Sequence, residues 1–550
     1  MNSEEPVLAG PGGPTGREGT GVRPWIKAML FALAFLAVLA AIGYGHARMI
    51  SQPEEVLLDV VPDDAFYYYQ IARHFAAGDG STFDGTNRAS GYHPGWMALL
   101  VPVAAAWPSP QALLRAALAL EFLLHAATAF ALIGLFRRYA SPGLALIGGL
   151  CWLANPLAIL LCLQGVESAL YALALVVLLR TVARFVAEPG EALALHVQLG
   201  AALAFCFWAR TEAGILALLT CIAAPALKGL PWRRCLRSAL TIGIVFSALV
   251  IPWFLFCWIA TGSPWQSSGA IKLLWGERFL GVLDFGERIG HALSFVGVKW
   301  LSSPWTPTVA SPLQKINTFT WAAKLPALLG LLAIGRKPAN RPILFGSVWL
   351  LAAMVLTGLV YGLFHWEIQI WYFAQPALLI FVMTYVWIAR LEVEPTRLRY
   401  LFSRVLPALL LALSLYEARS FYRYPPSLYP WQFQFLVSQG QFEDLVPPGQ
   451  AIGCFNAGIP AFYSHRQVIN LDGLVNSTVL PYYRAHRFDQ YLAEHSIHYI
   501  ADVQPVLDRT AKFMQHPLRL HPIAAMPLKG WYSPYRYLWE VEAGAEGVGK

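Results

Sequence analysis

Apolar runs of about the length that crosses a lipid bilayer recur along this chain, and that feature constrains its fold more than any other. A crossing helix needs about 20 predominantly apolar residues. Runs at approximately 25–44, 111–136, 142–161, 168–185, 195–209, 213–227, 237–259, 322–335, 342–364, 372–390 and 400–416 predict about eleven crossings. Only 13% of the 550 residues are charged and 57% are hydrophobic, against about 25% charged in a soluble domain. A water-soluble fold is therefore excluded, and so is a disordered chain, which lacks apolar content. The expected fold class is a polytopic α-helical membrane protein.

The formal charge of +8 does not point to nucleic acid, because the excess sits in short loops between apolar runs, where Lys and Arg set orientation. If the first run is an uncleaved signal anchor, with Arg17, Arg23 and Lys27 on the cytoplasmic side, alternation gathers the basic clusters on that same side. These are Arg137-Arg138, Arg184, Lys228 with Arg233, Arg234 and Arg237, Arg336-Lys337 with Arg341, and Arg390 with Arg397 and Arg399. The scheme requires that the thirteen-residue run 95–107 not cross alone, and it is read as an interfacial or re-entrant helix. The seven cysteines contain no CxxC pair, so neither a disulfide framework nor a zinc site is indicated.

Three regions follow: a disordered cytoplasmic tail at 1–24, a transmembrane domain at 25–416 with an external loop at about 48–95, and a small extracytoplasmic α/β domain at 417–550. In the last, charges return, and short apolar runs at 451–454 and 468–471 read as buried strands alternating with helices such as 482–495. The polar segments predicted outside are the 48–95 loop, Gln164-Gly165-Val166-Glu167, the Arg210-Thr211-Glu212 hairpin tip, a loop over about 261–320, and the His365-Trp366-Glu367 turn.

The external loop carries the most chemistry. In Pro62-Asp63-Asp64-Ala65-Phe66-Tyr67-Tyr68-Tyr69, proline ends one element and an acidic pair opens a helix, where the dipole favours carboxylates. One acid serves as N-cap and leaves the other beside a tyrosine cluster. Downstream, Gly91-Tyr92-His93-Pro94-Gly95-Trp96 closes a turn-rich stretch; an interfacial aromatic belt accounts for its Trp and Tyr but not for His93. Arg210 either grips an anionic group bidentately or pairs with Glu167 or Glu212. Lys272 is either a second cation for such a group or a snorkelling lysine, and His93 and His365 are lesser candidates. Glu167 either favours the helix dipole from Ser168 onward or lines a substrate cavity.

The first crossing, the external acidic pair and the Gly-rich loop ending in Gly-Tyr-His-Pro-Gly-Trp together resemble integral-membrane glycosyltransferases of the GT-C fold. These include protein O-mannosyltransferases, aminoarabinose transferases and arabinofuranosyltransferases. The motif resemblance is confined to about residues 60–96, with Gln164-Gly165-Val166-Glu167 and Trp208-Ala209-Arg210-Thr211-Glu212 similar to the next two external motifs. It implies transfer of a sugar from a polyprenyl-phosphate donor to an acceptor hydroxyl of a glycan, lipid or protein, on the extracytoplasmic face of a membrane, with the inner membrane of a bacterium as the expected location. By that resemblance Asp63 is expected as general base ahead of Asp64, with Tyr67, His93, Glu167, Arg210, Glu212 and Lys272 binding substrate. No metal or other cofactor and no nucleic-acid partner is expected. The competing readings are a lipid or glycan flippase, which would show paired halves where none is visible, and a non-catalytic envelope assembly subunit.

Overall fold

In the computed structural model, residues 24–296, 341–364, 369–391 and 397–542 are described. The expected tail, the run 322–335 and the His365-Trp366-Glu367 turn lie outside them. Helix α1 (Pro24–Ile50) has no acidic residue in its first turn and keeps Arg48 for its last. At 1.5 Å per residue it is about 40 Å long, and only 6% of its apolar window is covered by protein, as befits a lipid-facing span. Two external helices follow, α2 (Glu54–Leu58) and α3 (Asp63–Ala77), then α4 (Pro94–Ala106), α5 (Pro110–Phe136), α6 (Pro142–Leu153), α7 (Pro156–Leu163), α8 (Ser168–Ala187), α9 (Leu193–Ala209), α10 (Ala213–Leu227) and α11 (Trp232–Thr261). Helices α12 (Ser267–Leu280), α13 (Phe285–Ser294), α14 (Arg341–Phe364), α15 (Ala374–Leu391) and α16 (Arg397–Arg423) complete the helical part.

Among the described residues, six helices are long and apolar enough to cross a membrane, and seven if α6 and α7, bent by 47°, form one broken span. The protein is a multi-pass membrane protein, but length and composition do not reach the expected eleven. The runs at 195–209 and 213–227 form helices of 17 and 15 residues, only about 26 and 23 Å long, and 400–416 lies inside the Arg-flanked α16. Helix α4, with 13 residues, is about 20 Å long, against a hydrocarbon core of about 30 Å. It packs on α3 and α9, and a Cβ added at Gly95 would lie 2.7 Å from the carbonyl oxygen of Trp208, so glycine permits the close approach.

Helix α16 passes through position 417 without a break, so the sheet-bearing region starts beyond Arg423. It contains α17 (Gln432–Leu445), β1 (Ile452–Cys454), α18 (Gly458–Tyr463), β2 (Val468–Asn470), α19 (Leu480–Arg484), α20 (Phe488–Glu494), β3 (Tyr499–Asp502), α21 (Gln504–Thr510), β4 (Leu520–Pro527) and β5 (Tyr535–Val541). The five strands are ordered β2-β1-β3-β5-β4. Strands β1 to β3 are parallel, with Ile452 opposite Val468 and Tyr499, and the β4–β5 hairpin is antiparallel. The expected strands are thus β1 and β2. The expected helix 482–495 is interrupted between α19 and α20, where His486 takes a φ of 55°.

This domain is stitched to the loop that precedes α3. Leu428 and Tyr429 donate their backbone N–H groups to Asp59 O at 2.8 and 2.9 Å. The buried Gln432 amide donates to Leu58 O and Val61 O and accepts from Asp63 N at 2.7 Å.

Candidate active site

Successive residues on a helix point about 100° apart, so an acidic pair cannot face one way. On α3, positions 64, 67, 68 and 71 form one stripe (i, i+3, i+4, i+7), and Asp64, Tyr67, Tyr68 and Ile71 all line a cavity of about 740 Å³. Asp63 faces the C-terminal domain instead, where its carboxylate accepts from Gly458 N at 3.0 Å and Ile459 N at 2.6 Å, at the start of α18. Burial pushes the Asp63 carboxyl up to about 7, against the opposing pull of these N–H groups. The expected N-cap is corrected: Pro62 occupies that position in α3, which has no side-chain cap. Both acids lie in the first turn, where the dipole favours them.

A Cβ at Gly458 would fall on the carbonyl oxygen of Asp63. Glycine therefore lets α18 approach near enough to present its N–H groups.

Beyond the stripe, the cavity is bounded by a network that the sequence placed on three separate segments. The buried Glu167 accepts from the Tyr68 hydroxyl at 2.8 Å and from Arg210, whose Nε pairs with Glu212. The Arg210 guanidinium also lies 4.6 Å from the ring centre of Tyr372. With two carboxylates and an aromatic face around it, and only 1% of its surface exposed, Arg210 holds the hairpin tip in place. Both ion pairs considered from the sequence, to Glu167 and to Glu212, are formed.

His93 sits in the loop before α4, where its Nδ1 accepts from Thr211 N at 3.2 Å and its Nε2 lies 3.6 Å from Glu167. Accepting at Nδ1 leaves the proton on Nε2 in the neutral ring. Burial lowers the imidazole's proton affinity, opposed by Glu167. Lys272, on α12, donates its Nζ to the Tyr372 hydroxyl at 2.7 Å and faces the cavity. Seven of the eight expected site residues, all except Asp63, therefore line one cavity.

Sequence reasoning did not single out Tyr68, Tyr361, Tyr372 or the aromatic wall of Phe207, Trp253 and Trp371. Tyr68 and Ile71 could have been found by extending the i, i+3, i+4, i+7 stripe from Asp64. The wall comes from α9, α11 and the 370–373 turn and has no such local signal. The C-terminal domain supplies Leu474, Val475 and Arg484. Among the described residues, no group of three or more His, Cys, Asp or Glu is placed to hold a metal ion.

Residues 429–541 match a family described as a domain of unknown function, DUF8728. No match is found among curated proteins. By structure, the chain is similar to ArnT from Cupriavidus metallidurans bound to undecaprenyl phosphate, with a TM-score of 0.56, 14% identity, and 95% of this chain and 99% of that one covered. It is also similar to the apo state of that protein, with a TM-score of 0.55, 15% identity and coverage of 93% and 98%. A third likeness is to the archaeal oligosaccharyltransferase AglB from Archaeoglobus fulgidus in complex with an inhibitory peptide and a dolichol-phosphate, with a TM-score of 0.51, 12% identity and coverage of 87% and 70%. The chain has the GT-C fold that these glycosyltransferases share.

Proposed function

We propose that this protein is a glycosyltransferase that moves a sugar from a polyprenyl-phosphate donor to an acceptor hydroxyl, with Asp64 as general base. The observation that carries the reading is the Asp64 stripe of α3, which puts a carboxylate on the wall of a cavity whose lining also includes Lys272 and aromatic side chains. The lipid phosphates held by ArnT and AglB support the donor class. In the reaction, the acceptor oxygen attacks the anomeric carbon and its proton passes to Asp64. The bond from that carbon to the phosphate oxygen breaks, and its electron pair leaves with the lipid phosphate. That leaving group is weakly basic, so no second carboxylic acid is required and one displacement inverts the anomeric centre.

Lys272 supplies positive charge for the departing phosphate, and Arg484 from α19 adds a cation on the cavity wall. Arg210, Glu167, Glu212, Tyr68 and His93 form the frame that fixes the hairpin against α3. The order expected for the acidic pair is reversed in this reading, because the carboxylate of Asp63 is committed to α18. The basic loops favour a cavity on the extracytoplasmic side of a bacterial inner membrane, with the domain beyond Arg423 covering it.

The test is transfer by the purified full chain in lipid nanodiscs. Undecaprenyl-phosphate donors carrying labelled mannose, glucose, galactose or arabinofuranose are offered to membranes from a strain lacking the protein. Asp64→Asn is expected to lower turnover by about 100- to 10,000-fold with donor affinity little changed. Full turnover in Asp64→Asn would overturn the assignment.

A further inference from the structure

The C-terminal domain reaches the cavity through the short loop that follows β2. Asn470 accepts from Gly473 N at 3.1 Å, Asn476 donates its side-chain amide to Asn470 O at 2.8 Å, and Gly473 takes a φ of 84°. The loop is therefore closed on itself. It is also clamped from outside, since Ser267 at the start of α12 donates to Leu474 O at 3.0 Å and Gly91 makes room for that same carbonyl. Such a loop holds whatever it carries in one place. At its centre is Asp472, 6% exposed, with one carboxylate oxygen accepting from Leu474 N at 2.7 Å and the other 3.2 Å from the Tyr67 hydroxyl, whose single proton it shares with Phe455 O at 3.1 Å. Tyr67 belongs to the cavity stripe, one turn along α3 from Asp64.

We propose that Asp472 is a positioning residue for the transfer reaction: through its contact with Tyr67, which shares the cavity stripe with Asp64, it brings a carboxylate of the C-terminal domain against that stripe, and the domain thereby completes the general-base centre. This rests on the reading of Asp64 as base. A fixed neighbouring carboxylate raises a base's affinity for the proton it must take. Burial, with Asp64 among the nearby charges, pushes Asp472 itself up to about 7. Other groups facing this pair are Asp63 on α3, Tyr483 on α19, Tyr429 before α17, and Lys272 on α12, the one cation among them. Lys272 acts alike in the variants below and does not cancel a difference between them.

The experiment reads protonation directly, by infrared titration of the carboxylic-acid carbonyl band of the full chain in nanodiscs. Difference spectra against Asp472→Asn and Asp64→Asn assign the two groups. Coupling is reciprocal, so the Asp472 midpoint is expected to fall by about one pH unit in Asp64→Asn, and that of Asp64 by a similar amount in Asp472→Asn. Asp472→Glu, which keeps the charge, is expected to restore the Asp64 midpoint. If Asp472→Asn does not accumulate, Tyr67→Phe replaces it: loss of the donated hydroxyl favours neutral Asp472 and moves Asp64 in the same direction by less. Midpoints that ignore each other would overturn the proposal, because a purely structural role changes the yield of folded protein without moving a titration. Retained transfer in Asp64→Asn with coupled midpoints would overturn the base assignment and leave the coupling standing.

Discussion

Gly458→Ala is the substitution whose sign is most sharply set by this structure. Gly458 opens α18, and on helix propensity alone alanine is favoured over glycine by about 1 kcal/mol. An added Cβ, however, would overlap the carbonyl oxygen of Asp63 and approach its Oδ1 to 2.9 Å. The obstructing atom is backbone in the first turn of α3, so relief requires α18 to move away. That movement stretches the bonds of 3.0 and 2.6 Å from Gly458 N and Ile459 N, each worth about 1.5–3 kcal/mol above about pH 7, where Asp63 is charged, and about 0.5–1.5 kcal/mol when it is protonated. With an overpacking cost of about 1–3 kcal/mol, and part of the bonds retained, a net loss of about 3–5 kcal/mol is expected with Asp63 charged. Gly440 supplies the control, since it lies inside α17 with nothing within 4 Å of an added Cβ, and Gly440→Ala is expected to be neutral or stabilising. Thermal unfolding of the full chain in detergent, with hydrogen exchange across 455–463, separates the two. Equal stability of the two variants would refute the argument that Asp63 is latched to α18.

The same latch carries a pH dependence. Burial raises Asp63 and Asp472 from 3.8 to about 7, so between those values the folded state binds more protons than the unfolded one. The stabilisation is complete below about pH 4 and is lost as pH rises through about 7. Exchange protection at 455–463 and 470–476, corrected for intrinsic rates, is therefore expected to fall between pH 5 and 8, and a rise would contradict it. Glu167→Gln removes one of two carboxylates from the buried Arg210 and is expected to cost about 3–5 kcal/mol, read as a lower melting temperature; unchanged melting with weaker donor binding would instead place Arg210 on phosphate. For topology, cysteines at the exposed positions Asp79 and Lys529 are expected to react with an impermeant maleimide in intact cells, and those at Arg138 and Arg233 only after permeabilisation. Labelling at Arg138 alone would invert the scheme.

The sequence contains the reason that the acidic pair divides, because adjacent helical positions differ by about 100° and only position 64 is in register with Tyr67, Tyr68 and Ile71. It does not contain the tie that occupies Asp63, whose partner Gly458 is 395 positions away, nor the one between Tyr67 and Asp472, 405 positions apart. Apolar periodicity reports which face of an element is buried and is silent about what buries it. The same limit applies to the hairpin of α9 and α10: the runs at 195–209 and 213–227 were legible as apolar helices, while the burial of Arg210 at the tip between them depends on Glu167 from the distant α7–α8 turn as well as on Glu212 from its own hairpin. A tip carrying an Arg and a Glu is tolerated at depth when both charges are satisfied within the protein. The tip between the two short helices therefore carries the Arg210 charge without water, because both of its carboxylate partners come from the protein itself.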